Sequence, residues 1–388
     1  MPVELARELV RIPSENPPGD ERAVAAFVHD WFAERDVPVH LIESPEAARP
    51  SVAAVIGEGT PQLALNAHTD VVPADDPTAW THDPFDAVVE DGRLYGRGSA
   101  DTKASLAIAM RVAEAVRPAI EADELPGSLV VHAPAGEETG YPGTAALIEA
   151  GFGGDLAIVL EPTACRVATS AKGVATFRLH VDGRASHASR PDDADSAVDA
   201  LRVLLDAVER YDATLRERSD PLVGRSYATV TEVAAGLEQN LAVVPDHGHL
   251  LLDRRLLPGE SLATVEEELD DLAREVVDAG VSLERELVQL YEPAAVAPDH
   301  PLADVLRHHG RVVAGASGAP YGLEAATDAR SFVAEGIDAV VWGPGRLAEA
   351  HTVDESIAVT AIERGYEVLR RSAREVLADP SFVDGVSS

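Results

Sequence analysis

Apolar residues recur in this chain with two rhythms. Short, nearly continuous runs appear first: "SVAAVIG" (Ser51 to Gly57), "LALNA" (Leu63 to Ala67), "SLVVHA" (Ser128 to Ala133) and "LAIVL" (Leu156 to Leu160). Runs of this kind read as strands of a parallel sheet buried on both faces. Between them the spacing is helical. Val3 to Arg11 predicts a helix that stops at Pro13, and Glu21 to Arg35 predicts another, with Val24, Phe27, Val28, Trp31 and Phe32 on one stripe. Helices are also expected over 104–116 and from about Thr144, while Ala74 to Tyr95 reads as loop and hairpin with a tight turn at Asp91-Gly92. Strand and helix therefore alternate, which predicts a mixed, mostly parallel sheet flanked by helices.

The pattern changes at Lys172-Gly173. "VATFRLHVDG", "SYATVTEVAAG", "HLLLDRRLLP" and "VSLERELVQL" alternate as half-exposed strands. Two amphipathic helices fall among them, Ala194 to Glu209, with Val198, Leu201, Leu205 and Val208 on one face, and Leu262 to Asp278. The order β-α-β-β-α-β is a ferredoxin-like split unit. Beyond Glu292 a helix (His300 to Val313), a buried strand with a Gly-rich end (Asp338 to Gly345) and a closing helix (Ser356 to Leu377) resume the first pattern. The expected organisation is a larger α/β domain in two parts, 1–172 and 290–388, interrupted by a small α+β domain over 173–289.

Charge narrows the range of functions. The 388 residues carry 67 acidic and 32 basic side chains, a formal net charge of −35 spread along the chain. Phosphate binding needs a basic face, so nucleic acid is not an expected partner. Lys103 and Lys172 are the only two lysines. A dispersed acidic surface almost without lysine fits a protein that works in molar salt, where the Debye length of roughly 3 Å screens self-repulsion. The plainer alternative is an ordinary acidic protein of a GC-rich genome. One cysteine, Cys165, excludes an intrachain disulfide, and no run of 18 apolar residues or signal-type apolar core occurs, so a cytoplasmic protein without membrane contact is expected.

Candidate chemistry gathers where the buried runs end. His68 and Asp70 follow the second run, the Glu137-Glu138 pair the third, and Glu161 the fourth. In open α/β sheets functional groups collect at the carboxyl ends of strands. A carboxylate two residues from a histidine can fix its tautomer for metal binding. Asp101, before a helix and after "GRGS", reads equally as an N-cap or as a metal-bridging carboxylate. Adjacent glutamates point different ways, so one of Glu137 and Glu138 can bind a metal while the other acts as a base on water. With His351 the set has two histidines and several carboxylates and no thiolate, which fits two divalent metals, zinc first, with cobalt or manganese possible. In the small domain His187, Asn240 and Arg255 suit oxyanion and carboxylate binding. The alternative for Arg255 is a pair with a neighbouring acid.

From "LVRIPSENPPGDE" to "AHTVDE" the ordered motifs HxD, GRGSxD, EExG, EPT, GxxxHxSxP, DxRxxP, TDAR and GPG…AH resemble the acetylornithine deacetylase / succinyl-diaminopimelate desuccinylase / carboxypeptidase G family of dinuclear zinc metallohydrolases. The resemblance implies that His68 and Glu161 bind one metal, Glu138 and His351 the other, and Asp101 both, with a cis peptide after Asp101. It makes Glu137 the general base and Asp70 the residue that orients His68. It makes the larger domain catalytic and the inserted one a dimerisation and lid domain, giving a homodimer in which His187 stabilises the oxyanion in the other subunit. Arg255 and Asn240 would bind substrate, and Gly322 to Arg330 with Gly343 to Gly345 would line its pocket. Thr102-Lys103-Ala104 and Gly236-Leu237 depart from the family pattern without touching a proposed ligand. "GLEAATDAR" and "GPGRLAEAH" resemble the acetylornithine deacetylase side, where Glu324 would meet a substrate amine. The implied activity is hydrolysis of an N-acyl amino acid. A dipeptidase or carboxypeptidase on the same site and a noncatalytic binding protein of this fold are the alternatives.

Overall fold

The buried runs of the first half become the middle of one sheet. Ser128–Ala133, Gln62–Asn66, Leu156–Val159 and Asp338–Val341 lie side by side and parallel. Ser51–Ile56 and Val39–Ile42 extend it antiparallel on one flank. On the other flank Ala168–Ala171 pairs antiparallel with Asp338–Val341 and is joined by Ala294–Ala295 and Tyr321–Leu323. The computed structural model describes residues 1–236 and 241–383, and these form two compact units. Most of the sheet belongs to the larger unit, which comprises Met1–Ser170, Ala295–Gly322 and the chain from Thr327 onward.

Helices Pro2–Val10, Ala104–Glu121 and Val359–Ala378 pack together in the core of this unit. The sequence ended the second of them at Val116, but it continues through Pro118. Proline removes a hydrogen bond to the residue four positions back. Here both Glu114 and Pro118 are exposed, on the side of the helix open to water, while Ala119 and Ile120 stay buried and carry the helix on. Ser356, expected in the closing helix, instead starts the strand Ser356–Ala358, which pairs with Arg93–Tyr95 of the predicted hairpin. Among the described residues no helix is long and apolar enough to cross a membrane.

The smaller unit comprises Ala171–Ala294 with Leu323–Ala326. Its sheet runs Tyr227–Ala235, His247–Leu256, Gly173–Asp182, Ser282–Tyr291, with every pair antiparallel. Helices Ala197–Leu215 and Leu262–Asp278 pack on it over Phe177, Leu179, Leu250 and Leu252. That is the ferredoxin-like order. Arg254 is fully buried here and pairs with Glu260 at 3.0 Å and Glu268 at 3.2 Å.

The face of helix Ala197–Leu215 differs from the expected one. Ser196 caps it by accepting the Asp199 N–H, and Ala197, Leu201, Leu204 and Val208 then face the sheet. Val198, about 100° further round, is 54% exposed. A pattern keyed to large side chains overlooks Ala197, Ala200 and Ala207, which mark the true inner face. Leu204→Ala is therefore expected to cost about 2–5 kcal/mol. Val198→Ala should stay within about 0.5 kcal/mol. Denaturant unfolding of the two variants checks the assignment.

Candidate metal centre

Three of the four parallel strands deliver a polar group just past their carboxyl ends. His68 stands two residues after Gln62–Asn66, and Glu161 two residues after Leu156–Val159. Glu137 and Glu138 sit in a single turn after Ser128–Ala133. Gly343 follows Asp338–Val341, and a Cβ there would lie 2.5 Å from the Glu161 carbonyl oxygen, so only glycine lets the two strand ends approach this closely. Asp101 arrives from the turn Ser99–Lys103, and His351, with φ +59°, from the loop before Ser356–Ala358.

Asp101 does not cap the helix that follows it, whose N-cap is Lys103. One of its carboxylate oxygens lies 3.1 Å from His68 Nε2, and the other 3.4 Å from His351 Nε2. His351 Nε2 also lies 3.0 Å from Glu138 Oε1. The Asp101–Thr102 peptide is cis. Among the described residues two donor sets result, His68 with Asp101 and Glu161, and Asp101 with Glu138 and His351; within each, one atom per residue lies within 4.8 Å of the others. Asp101 belongs to both. Glu137 belongs to neither and lies 3.7 Å from an Arg330 nitrogen.

Electrostatics follow from burial. Glu161 is raised well above the usual carboxylate range by burial and then by Asp101. Burial also raises Glu138, and burial with the Asp328 charge pushes Glu137 up to about 8. Burial would lower His68, but its hydrogen bonds to Asp101 and Asp70 outweigh this and hold it well above an ordinary histidine. Hydrogen bonds to Asp101 and Glu138 push His351 up to about 10. Nitrogen and oxygen donors in two sets sharing one carboxylate, with more buried carboxylates than cations to match them, fit a pair of divalent metal ions.

Asp70 does more than the sequence indicated. His68 Nδ1 lies 2.9 Å from the Asp70 backbone carbonyl and 3.5 Å from its carboxylate. The carboxylate instead accepts the N–H groups of Gly136, Glu137 and Glu138 at 2.9–3.1 Å and the Asn16 amide at 2.8 Å. One buried side chain thus joins the turn carrying both glutamates to the segment carrying His68. Asn16, buried in the loop "PSENPPGD", was given no role from sequence, and nothing local distinguishes it from the chain's other polar residues. Asp328, which accepts Thr144 Oγ1 at 2.6 Å, lies in the TDAR motif and was read there only as pocket lining.

The remaining candidates are placed as follows. His187, Arg255 and Glu324 belong to the smaller unit. His187 is exposed and hydrogen-bonded through Nδ1 to Ser189 Oγ at 2.8 Å. Arg255 makes a two-pronged pair with Asp253 at 2.8 and 3.1 Å, which is the neighbouring-acid alternative. Glu324 is exposed. Gly322 and Gly345 are buried in the larger unit, and Gly345 adopts φ +83°. Asn240 lies outside the described residues.

The chain and its fold match known proteins. Residues 64–375 match the model of peptidase family M20/M25/M40. The chain is 32% identical over 321 residues to an acetylornithine deacetylase of Myxococcus xanthus, covering 81% of this chain and 80% of that one. It is 27% identical over 389 residues to a probable succinyl-diaminopimelate desuccinylase of Staphylococcus aureus, covering 92% of each. The fold matches that of an M20 family metallo-carboxypeptidase of Sulfolobus solfataricus with a TM-score of 0.77 at 18% identity, over 96% of this chain and 99% of that one. With residues 64–375 matched, the chain belongs to peptidase family M20/M25/M40 and is a hydrolase of amide bonds.

Proposed function

We propose that the protein hydrolyses the amide of an N-acyl amino acid, in the manner of an acetylornithine deacetylase or a succinyl-diaminopimelate desuccinylase. The observation that carries this is the pair of donor sets sharing Asp101, with one further carboxylate, Glu137, its side chain 13% exposed, left over beside them. His68, Asp101 and Glu161 would hold one divalent ion, and Asp101, Glu138 and His351 the second, with Zn2+ the metal favoured and Co2+ or Mn2+ alternatives. Such ions, when bound, polarise a carbonyl and bring the pKa of water towards about 7.

The chain's own residues supply the proton transfers. Glu137, free of the donor sets, takes the proton of the attacking water and returns it to the leaving nitrogen. Asp70 fixes the backbone of Glu137 and so the direction of its side chain. In this reading the smaller unit, about 173–289, is the dimerisation and lid domain of a homodimer. His187 of one subunit stabilises the oxyanion in the other. Arg255, Asn240 and Glu324 bind substrate polar groups, and Gly322 and Gly345 line the pocket; for Arg255 this requires the substrate to displace Asp253. The relatives named deacetylase and desuccinylase support the N-acyl amino acid over a dipeptide. A dipeptide or C-terminal peptide bond presents the same amide beside a carboxylate and is the second reading.

Protein stripped by chelator and reloaded with zinc in molar KCl should release amine from N-acetyl-L-ornithine or N-succinyl-diaminopimelate at on the order of 1–1000 per second. Turnover of dipeptides alone would replace the deacylase reading by the peptidase one. Glu137→Gln is expected to bind both metals as the parent does and to lose about 10²–10⁴-fold in kcat. Loss of metal instead would make Glu137 a ligand. Metal entry must also displace protons. His351 at about 10 and Glu137 at about 8 are both protonated at pH 7 in the metal-free chain, and a ligand imidazole must be neutral. Loading should therefore release about one or more protons per chain, and affinity should rise with pH across neutrality. Calorimetric titration in two buffers of different ionisation enthalpy counts them.

A further inference from the structure

Glu355 and Arg97 are buried in the larger unit at 1% and 3% exposure and have no part in the chemistry described above. Glu355 Oε2 accepts Arg97 Nη1 at 2.7 Å. Its Oε1 accepts the backbone N–H groups of Ala100 at 2.9 Å and Asp101 at 3.2 Å. The turn Ser99–Lys103 is non-helical at Asp101 and Thr102, and Glu355 takes these two N–H groups in place of helix carbonyls. The Glu355 carbonyl accepts the Gly96 N–H at 2.9 Å, so the two segments are joined a second time. Arg97 reaches further. Its guanidinium donates to the carbonyls of Thr352 and Pro73, both at 3.3 Å, and lies 5.0 Å over the Trp80 ring.

One ion pair thus touches three segments. Thr352 is next to His351, Pro73 continues the segment that carries His68 and Asp70, and residues 96–101 carry Asp101. A buried ion pair contributes little net stability, because desolvation offsets its attraction. A role in geometry accounts better for this one. We propose that the Arg97–Glu355 pair is a positioning device for the metal centre, fixing the backbone of Asp101, the donor common to both sets, and setting its register against the His351 loop. The proposal rests on the reading of Asp101 as a shared metal ligand. The pair touches neither substrate nor metal and acts through Asp101 and His351. Groups that orient ligands in this way change metal affinity by about 10–100-fold when removed.

The test compares Glu355→Gln, the double variant Arg97→Met with Glu355→Gln, Asp101→Asn, and Glu260→Gln as a control at the buried pair of the smaller unit. Folding of the metal-free proteins is followed by circular dichroism and denaturant midpoint. Zinc affinity is measured by competition with a chelating dye, and the ligand field by the visible spectrum of the Co2+ form. Glu355→Gln should bind zinc roughly 10–100-fold more weakly and change the Co2+ spectrum. The double variant, which leaves no uncompensated guanidinium, should show the same loss with parent-like folding. Glu260→Gln should lower the midpoint and leave zinc affinity unchanged. Affinity within about twofold of the parent and an unchanged Co2+ spectrum, in either folded variant, would overturn the proposal, since an orienting group is expected to matter about tenfold or more. Failure of both to fold would place the pair in the folding core and overturn it as well. If Asp101→Asn itself binds zinc as the parent does, the reading of the metal centre falls and this proposal with it. A weak Asp101→Asn beside a tight Glu355→Gln overturns the positioning role alone.

Discussion

Mutual repulsion among four largely covered carboxylates on one rim of a parallel sheet is the constraint on which the rest of the larger unit depends. Asp101, Glu137, Glu138 and Glu161 have side chains no more than 13% exposed. Two unit charges about 4 Å apart at an effective dielectric of about 20 repel by roughly 4 kcal/mol. The metal-free chain relieves this in two ways visible in its protonation. Burial raises the proton affinity of Glu137, Glu138 and Glu161, and the imidazoles of His68 and His351 are drawn to Asp101. Divalent cations would relieve it in a third way. The parallel strands supply the rigidity that holds such groups together against their own repulsion, and the helices behind them supply the core that keeps the strands in place.

That architecture was largely legible in the chain. Strands buried on both faces betray themselves as continuous apolar runs, and the motifs at their ends needed no tertiary information to be noticed. Helix Leu262–Asp278 has the bounds its spacing predicts, because Ser261 and Thr264 form a capping box at its start. The strands Val39–Ile42 and Ala168–Ala171 were not seen. The first is a half-exposed edge strand, and the second, "ATSA", is held by its neighbours and has little apolar character of its own. The continuation past Pro118 and the inner face of helix Ala197–Leu215 depend on packing that local rules do not contain.

Within the site, what the sequence conveyed least was the scaffolding between the motifs. His68, Asp101, Glu138, Glu161 and His351 were read as ligands from their motifs, whereas Asn16 and Glu355, in "LVRIPSENPPGDE" and "AHTVDE", carry nothing local that announces their hydrogen bonds to Asp70 and to the backbone of Ala100 and Asp101. A carboxylate among 67 acidic residues has no local signature until the fold shows that it is buried. Asp70 illustrates the same point from within a motif. Its proximity to His68 in the chain suggested one partner, and its carboxylate turned to the turn of Gly136–Glu138 because three unpaired N–H groups converge there.

The exposure of His351 gives the centre a direction. Its side chain is 48% exposed, whereas His68 is 2% and Glu161 7% exposed. One end of the donor cluster is therefore a floor and the other a doorway. Solvent reaches the His351 end directly, while the His68 and Glu161 end is covered. A scavenger or competing ion approaching from solvent would meet the outer end before the inner.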